Sequence, residues 1–211
     1  MLTVHDLNNS RSQRILWILE ELGIEYEIRF HKRRPDMFAP DELKKVHPLG
    51  KAPVVEDWDR EGQRLVLVET GAICEYLVEK ADGRLGPSSG RDEILKYREF
   101  LHYAEGSVMP MLFAILVVSQ VPLLGRLAVK RVRPMLDTHL DYVEAQLSSR
   151  AWFAGEEFTA ADVMMSFPLE AARSRKWLDG ARPATIAWLD RIHARPFYQK
   201  ALEKGGPYRF A

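Results

Sequence analysis

Between Ala81 and Gly90 the sequence ADGRLGPSSG is rich in Gly, Pro and Ser and has no periodic apolar pattern, so it reads as a linker. It constrains the fold because the apolar period differs on its two sides. Before it, Leu2 to Leu7 is a strand candidate, followed by Ile15, Leu16, Ile18, Leu19 and Leu22 at helical spacing and a stop at Gly23. Tyr26 to His31 alternates as a second strand, and PDELKK from Pro40 suggests a short helix with acidic residues in its first turn. HPLGKAPVVED and RLVLVETGAICEYLVEK then spell two strands, joined by a turn at Asp59 to Gly62, and a helix from about Thr70 to Lys80. The order is βαβαββα. Beyond the linker only helical periods occur, around Ile94–Val118, Leu124–Leu147, Ala160–Ala172, Thr185–His193 and Phe197–Glu203. The expectation is an α/β domain over 1–81, a linker over 82–90 and an all-α domain over 91–211.

Charge and cysteine content narrow the chemistry. Thirty basic residues balance thirty acidic ones, so no overall field favours nucleic acid as a partner, and the basic segments HKRRP and KRVRP read as mixed solvated faces. The single cysteine, Cys74, excludes an intramolecular disulfide, a CxxC pair and a Cys-rich zinc site, and a cytoplasmic location is expected. Cys74 lies beside Ile73 and Leu77 on the third helix, where packing is the expected role. His102, His139 and His193 are scattered without metal-ligand spacing, so no metal is expected. MLTVHDLNNS shows no secretory signal pattern. The longest apolar run, Val108 to Val118, is too short to span a bilayer, so a buried helix, a dimer surface or a ligand-pocket wall is expected, with peripheral membrane contact as the minor alternative.

Three short stretches offer polar groups where a ligand could sit. Asn9, Ser10 and Ser12 precede the first long helix, where unpaired N–H groups and the positive end of the dipole favour an anion. A hydroxyl or amide there can hydrogen-bond a thiolate and lower a thiol pKa from about 8.5. The plainer role for one of these residues is to cap the helix. Ala52-Pro53 stands at a strand entry, where a cis bond would leave the Ala52 backbone to pair with an extended peptide. Glu69 and Thr70 stand at a helix start that suits a carboxylate, with capping by Thr70 as the alternative.

Taken in order, SRSQRILWILEELGIEYE, HPLGKAPVVED, ETGAICEYL, FAGEEFTAADVMM and RIHARPFYQKAL make the chain resemble the soluble glutathione transferases over nearly its whole length. The opening segment looks most like a bacterial and fungal branch with a Ser/Asn-type turn. The resemblance implies a thioredoxin-like N-terminal domain, an all-α C-terminal domain, a homodimer, and glutathione as co-substrate without a metal. It makes Ser10 the leading thiolate stabiliser, with Asn9 and Ser12 as neighbours that could share or replace it. The tyrosine mechanism of other classes is not expected, because no tyrosine occurs in the turn and Val4-His5 occupies the relevant strand. Lys51 would meet the glycyl carboxylate, Ala52 would pair through its backbone with the cysteinyl unit in a geometry set by Pro53, and Glu69 and Thr70 would hold the γ-glutamyl end. Thr70 stands where the family more often has Ser.

For a small hydrophobic electrophile, the resemblance implies a pocket between the domains, with Tyr103, Met109, Met111 and Phe113 as candidates, though such side chains at helical spacing are more often core. Thr159 and Asp162 match a capping box with a role in folding, and replacing Asp162 is expected to cost roughly 0.5–2 kcal/mol. The implied activity is attack of a stabilised glutathione thiolate on an electrophile. The alternatives are glutathione-dependent peroxidase or disulfide reductase activity, or a non-catalytic ligand-binding or regulatory protein on the same scaffold.

Overall fold

The computed structural model describes residues 1–206 and 208–211. Its first part runs β1 (Leu2–Leu7), α1 (Ser12–Leu22), β2 (Tyr26–His31), α2 (Glu42–Val46), β3 (Val54–Trp58), β4 (Arg64–Val68) and α3 (Thr70–Lys80). The four strands form one sheet in the order β2-β1-β3-β4. β1 and β2 are parallel, as a βαβ crossover requires, while β3 runs antiparallel to β1 and pairs antiparallel with β4. This is a thioredoxin-like arrangement. β1 is buried along its whole length. The buried His5 ring fastens it sideways, 3.0 Å from His31 Nε2 and 3.0 Å from Glu56 Oε1.

α1 stops where the sequence places its stop: Gly23 takes φ 63°, and its N–H and that of Ile24 return to carbonyls of the last turn. Ten of its eleven residues are buried, polar ones included. The reason is the last helix, α9 (Pro196–Gly205), which packs against α1. Trp17 meets Tyr198 edge-on with ring centroids 5.0 Å apart. Arg195 donates to both carboxylate oxygens of Glu21, at 2.6 and 2.7 Å. Glu20 accepts from Tyr26 at 2.7 Å and pairs with Lys200 at 2.7 Å and with Lys204. Burial pushes the Glu20 carboxyl up, but these donors outweigh it and hold it below the usual range. A side chain at Gly205 would come within 2.6 Å of Leu16 Cδ1, so the close approach of the two helices needs a glycine there.

The chain therefore divides differently from its linear pattern. Residues 1–86, 193–209 and 211 form one unit, and 87–192 with Phe210 form the other. The sequence reading placed α9 with the all-helical half over 91–211. Its amphipathic period marks a helix with one buried face but not which partner covers it.

The second unit contains α4 (Arg91–Tyr103), a π-helical turn (Ala104–Val108), α5 (Met109–Ser119), α6 (Gly125–Ser149), α7 (Ala160–Ser174) and α8 (Pro183–His193). α7 is its centre, buried continuously from Ala160 to Ala172. Phe153 packs between Phe100, tilted at 4.6 Å, and Trp188, edge-on at 5.0 Å. The segment Arg91–Ser119 is by length and composition apolar enough to cross a membrane, with a third of its most apolar window buried. Val108, Met109, Leu112 and Ile115 give it the buried stripe of a core helix. The expected capping box is present at the start of α7. Asp162 accepts from the Thr159 and Phe153 N–H groups at 3.0 Å each and from the Trp188 indole at 3.2 Å.

Candidate active site

Sheet register brings three distant segments to one edge of the first unit. His5 lies opposite Val54, and Val54 opposite Val68. The turn after β1, the residues before β3 and the residues after β4 therefore end side by side. These segments carry Asn9, Ser10 and Ser12, then Lys51, Ala52 and Pro53, then Glu69 and Thr70. The Ala52–Pro53 peptide is cis, and Lys51 is exposed.

In the turn, the polar atoms form an ordered chain. Ser12 is fully buried, and its Oγ lies 2.5 Å from Asp6 Oδ1. A hydroxyl has one hydrogen, and a carboxylate this close takes it. Ser12 Oγ is then an acceptor, receiving the Leu7 N–H at 3.1 Å and the Ser10 hydroxyl at 2.7 Å. Ser10 Oγ accepts the Ser12 N–H at 3.2 Å, so its own hydrogen is the mobile one of the pair. Ser10 is 6% exposed, which is its opening onto a small polar cleft. Burial raises the Asp6 carboxyl pKa, and the Ser12 hydrogen bond offsets part of that rise.

Asn9 takes a left-handed backbone, φ 53°, which asparagine tolerates better than most residues. Its Oδ1 accepts the Arg209 N–H at 3.0 Å, leaving the NH₂ end of the amide as its donor. Gly205, Gly206 and Tyr208 join Asp6, Asn9, Ser10 and Gln13 around the cleft, so the C-terminal segment closes over the turn. Gln13 Nε2 is buried there with no hydrogen-bond partner among the described residues. A buried amide donor beside Ser10 can serve a ligand atom.

The turn also sits in a positive field. Arg33 donates to the Asn8 carbonyl at 3.1 Å, the Met37 carbonyl at 2.9 Å and the Asn9 carbonyl at 3.4 Å. The sequence reading gave HKRRP a solvated role. Arg33 is instead a half-buried strut, because a bent turn exposes carbonyls that a guanidinium can collect. Burial pushes its pKa down, and Arg209 and Arg11 nearby push it further. Three clustered cations favour an anion at the turn.

At the third segment Glu69 is exposed and holds φ 67°, a conformation that costs a non-glycine residue about 1–3 kcal/mol. Thr70 is buried and its Oγ1 accepts from Arg14 Nη2 at 3.4 Å, tying α3 to α1. Arg14, Gln13, Asp6 and Arg33 were not singled out by the sequence reading. The only local signal was two polar residues, Gln13 and Arg14, at the start of an otherwise apolar helix. Cys74 is fully buried, its thiol pushed up to about 12 by burial, which makes it inert as a nucleophile.

In the second unit the four aromatic and methionine candidates do not share one environment. Tyr103 turns to α6, its hydroxyl 2.6 Å from His139 Nδ1, and burial pushes its pKa up to about 12. Met109 is in the core, Met111 is partly exposed and Phe113 is 62% exposed. Among the described residues no cluster of His, Cys, Asp or Glu is placed to hold a metal ion.

Comparison with known proteins agrees with this architecture. Residues 10–80 match the family model of the glutathione S-transferase N-terminal domain, and residues 108–196 match that of the C-terminal domain. The chain is similar to glutathione S-transferase 3 of Schizosaccharomyces pombe, 36% identical over 97% of this chain and 88% of the relative. It is similar to glutathione S-transferase 1 of Saccharomyces cerevisiae, 33% identical over 97% of this chain and 95% of the relative. Among solved structures, a glutathione S-transferase from Actinobacillus pleuropneumoniae matches with a TM-score of 0.84 at 34% identity, over 99% of this chain and 94% of that one. Both domains, in this order and over nearly the whole length, place the chain in the glutathione S-transferase family.

Proposed function

We propose that this protein is a glutathione transferase whose Ser10 hydroxyl holds the glutathione thiolate. The observation that carries the assignment is the allocation of hydrogens in the turn. Ser12 gives its hydrogen to Asp6, whereas Ser10 can swing its own from Ser12 Oγ to an incoming sulfur. Ser12 is then a positioning residue, and Asn9 and Gln13 are additional amide donors. Lys51 would meet the glycyl carboxylate, the Ala52 backbone beside Pro53 the cysteinyl unit, and Glu69 with Thr70 the γ-glutamyl end.

The chemistry needs no covalent bond between protein and substrate. The thiol gives its proton to solvent, the thiolate sulfur bonds to an electrophilic carbon, and the leaving group departs with its electron pair. Hydroxyl and amide donors and the nearby guanidiniums stabilise the charged sulfur before attack. For the electrophile we assign Phe113, Met111 and Tyr103 as the accessible candidates, Met109 being buried. The protein would act in the cytoplasm, as a homodimer.

The test is a calorimetric titration with glutathione, followed by the pH dependence of bound thiolate absorbance. Saturable binding with a lowered thiol pKa, and a pKa that rises in Ser10→Ala, supports the assignment. Binding with an unchanged pH profile in that variant moves the role to Asn9 or Gln13, and no binding refutes it. Assays of conjugation against disulfide and peroxide reduction on the same sample distinguish transfer from the two redox activities.

A further inference from the structure

The tip of the hairpin of α5 and α6 carries charge of one sign only. From Gly106 to Leu136 there is no Asp or Glu, while Arg126, Lys130, Arg131 and Arg133 all fall within it, in a chain with equal numbers of acids and bases. Arg133 is tied to Asp137 at 2.9 Å. Arg126, Lys130 and Arg131 are exposed, and none has an ion-pair partner among the described residues.

The turn of the same hairpin is apolar and faces solvent. Leu123 is 98% exposed, Leu127 64%, Leu124 63% and Val121 46%. The turn is well bonded, with the Gly125 N–H on the Val121 carbonyl at 2.9 Å and the Leu124 N–H on the Pro122 carbonyl at 2.7 Å. Within it Leu123 holds φ 65°, a left-handed conformation that a branched side chain resists and a glycine would accept. A strained leucine projecting into water suits folding poorly and contact with an apolar medium well.

From this juxtaposition of exposed leucines and unpaired cations we infer that the α5–α6 turn is a peripheral docking tip for anionic phospholipid surfaces. The shape favours a lipid over a folded partner. The end of a two-helix hairpin offers only a few side chains, whereas a stable protein interface buries about 800 Å² on each side. A bilayer interface accepts such a tip to a depth of roughly 5–10 Å. Lys130 and Arg131 lie six and seven residues beyond Leu124 on α6, about 9–10.5 Å along the axis at 1.5 Å per residue. With the leucines at the acyl boundary, these cations reach headgroup phosphates, and no carboxylate between Gly106 and Leu136 opposes them. The contact is peripheral, and α5 keeps its buried stripe in the helical unit. The inference does not depend on the glutathione reading.

The test is sedimentation of the whole protein with phosphatidylcholine vesicles, with and without phosphatidylserine. The protein is expected to pellet with the anionic vesicles and to be released by high salt. Replacing Arg126, Lys130 and Arg131 together by Gln should weaken partitioning on the order of a hundredfold, at about fivefold per charge. Leu123→Ser with Leu124→Ser should weaken it about tenfold or more. These side chains are exposed, so thermal melting and glutathione conjugation in solution should be unchanged. Three results would overturn the inference: wild-type protein left in the supernatant with anionic vesicles, equal pelleting with pure phosphatidylcholine, or a leucine variant whose oligomeric mass changes, which would give the tip to a second copy of the chain.

Discussion

Two helix starts in this protein face the same physical problem and resolve it in opposite ways. At α7 the chain supplies its own anion: Asp162 is fully buried and accepts from two backbone N–H groups and an indole. At α1 the first turn contains no acidic residue, the nearby Asp6 carboxylate is engaged by the Ser12 hydroxyl, and guanidiniums from Arg33, Arg209 and Arg11 cluster at the turn. A helix start closed by an internal carboxylate holds the fold together. One left open, with a movable hydroxyl and a positive surround, is available to an outside anion.

The largest way to break this contrast is Asp162→Ala. The buried N–H groups of Phe153 and Thr159 and the Trp188 indole would lose their acceptor at about 1–3 kcal/mol each, so we expect a loss of roughly 3–5 kcal/mol in denaturant unfolding. This exceeds the capping value expected from sequence, because Asp162 serves more than its own helix. Burial also pushes its carboxyl up to about 6. Its folded pKa then lies above the unfolded value of about 3.9. Its contribution to stability is full below about pH 4 and falls as pH rises through about 6. A pH series of melting temperatures should show that fall, and Asp162→Asn should remove it.

Next comes Ser10→Ala, expected to lower kcat/KM for conjugation about a hundredfold, or about 2.7 kcal/mol, with a melting temperature close to that of the parent. A large fall in melting temperature with little change in turnover would make Ser10 a cap like Thr159. Ser12→Ala should reverse that balance. It deprives Asp6 of its donor and Leu7 of its acceptor, and should cost about 1–2 kcal/mol of stability with a smaller effect on turnover. The smallest effect is Thr159→Ala, about 1 kcal/mol by melting with activity per folded molecule unchanged.

What the sequence made legible was local. Thr159 and Asp162 are three apart on one helix start, and Ser10 and Ser12 share one turn, so spacing alone brings each pair together. The strand order is nearly as legible, because a helix between two strands enforces a parallel pair and a short turn an antiparallel one. Long-range contributions were not. Nothing near Asn9 announces that Arg209 will bond to it, and nothing in HKRRP marks Arg33 as the residue that collects the turn's carbonyls. Tyr103 could be read as a pocket wall because its spacing says nothing of His139, thirty-six residues on, which accepts its hydroxyl or donates to it. Helical period likewise could not tell that α9 crosses back to α1.

The closing of the cleft by the C-terminal segment has a consequence for how the protein is made. Asn9 and Arg209 are two hundred residues apart. At about 5–20 residues per second of synthesis, the turn waits on the order of ten to forty seconds for its partner. Through that interval Leu16, Trp17, Glu20 and Glu21 present to the cell the face that α9 will cover. A nascent chain thus carries an exposed, acid-studded hydrophobic ridge until late in translation.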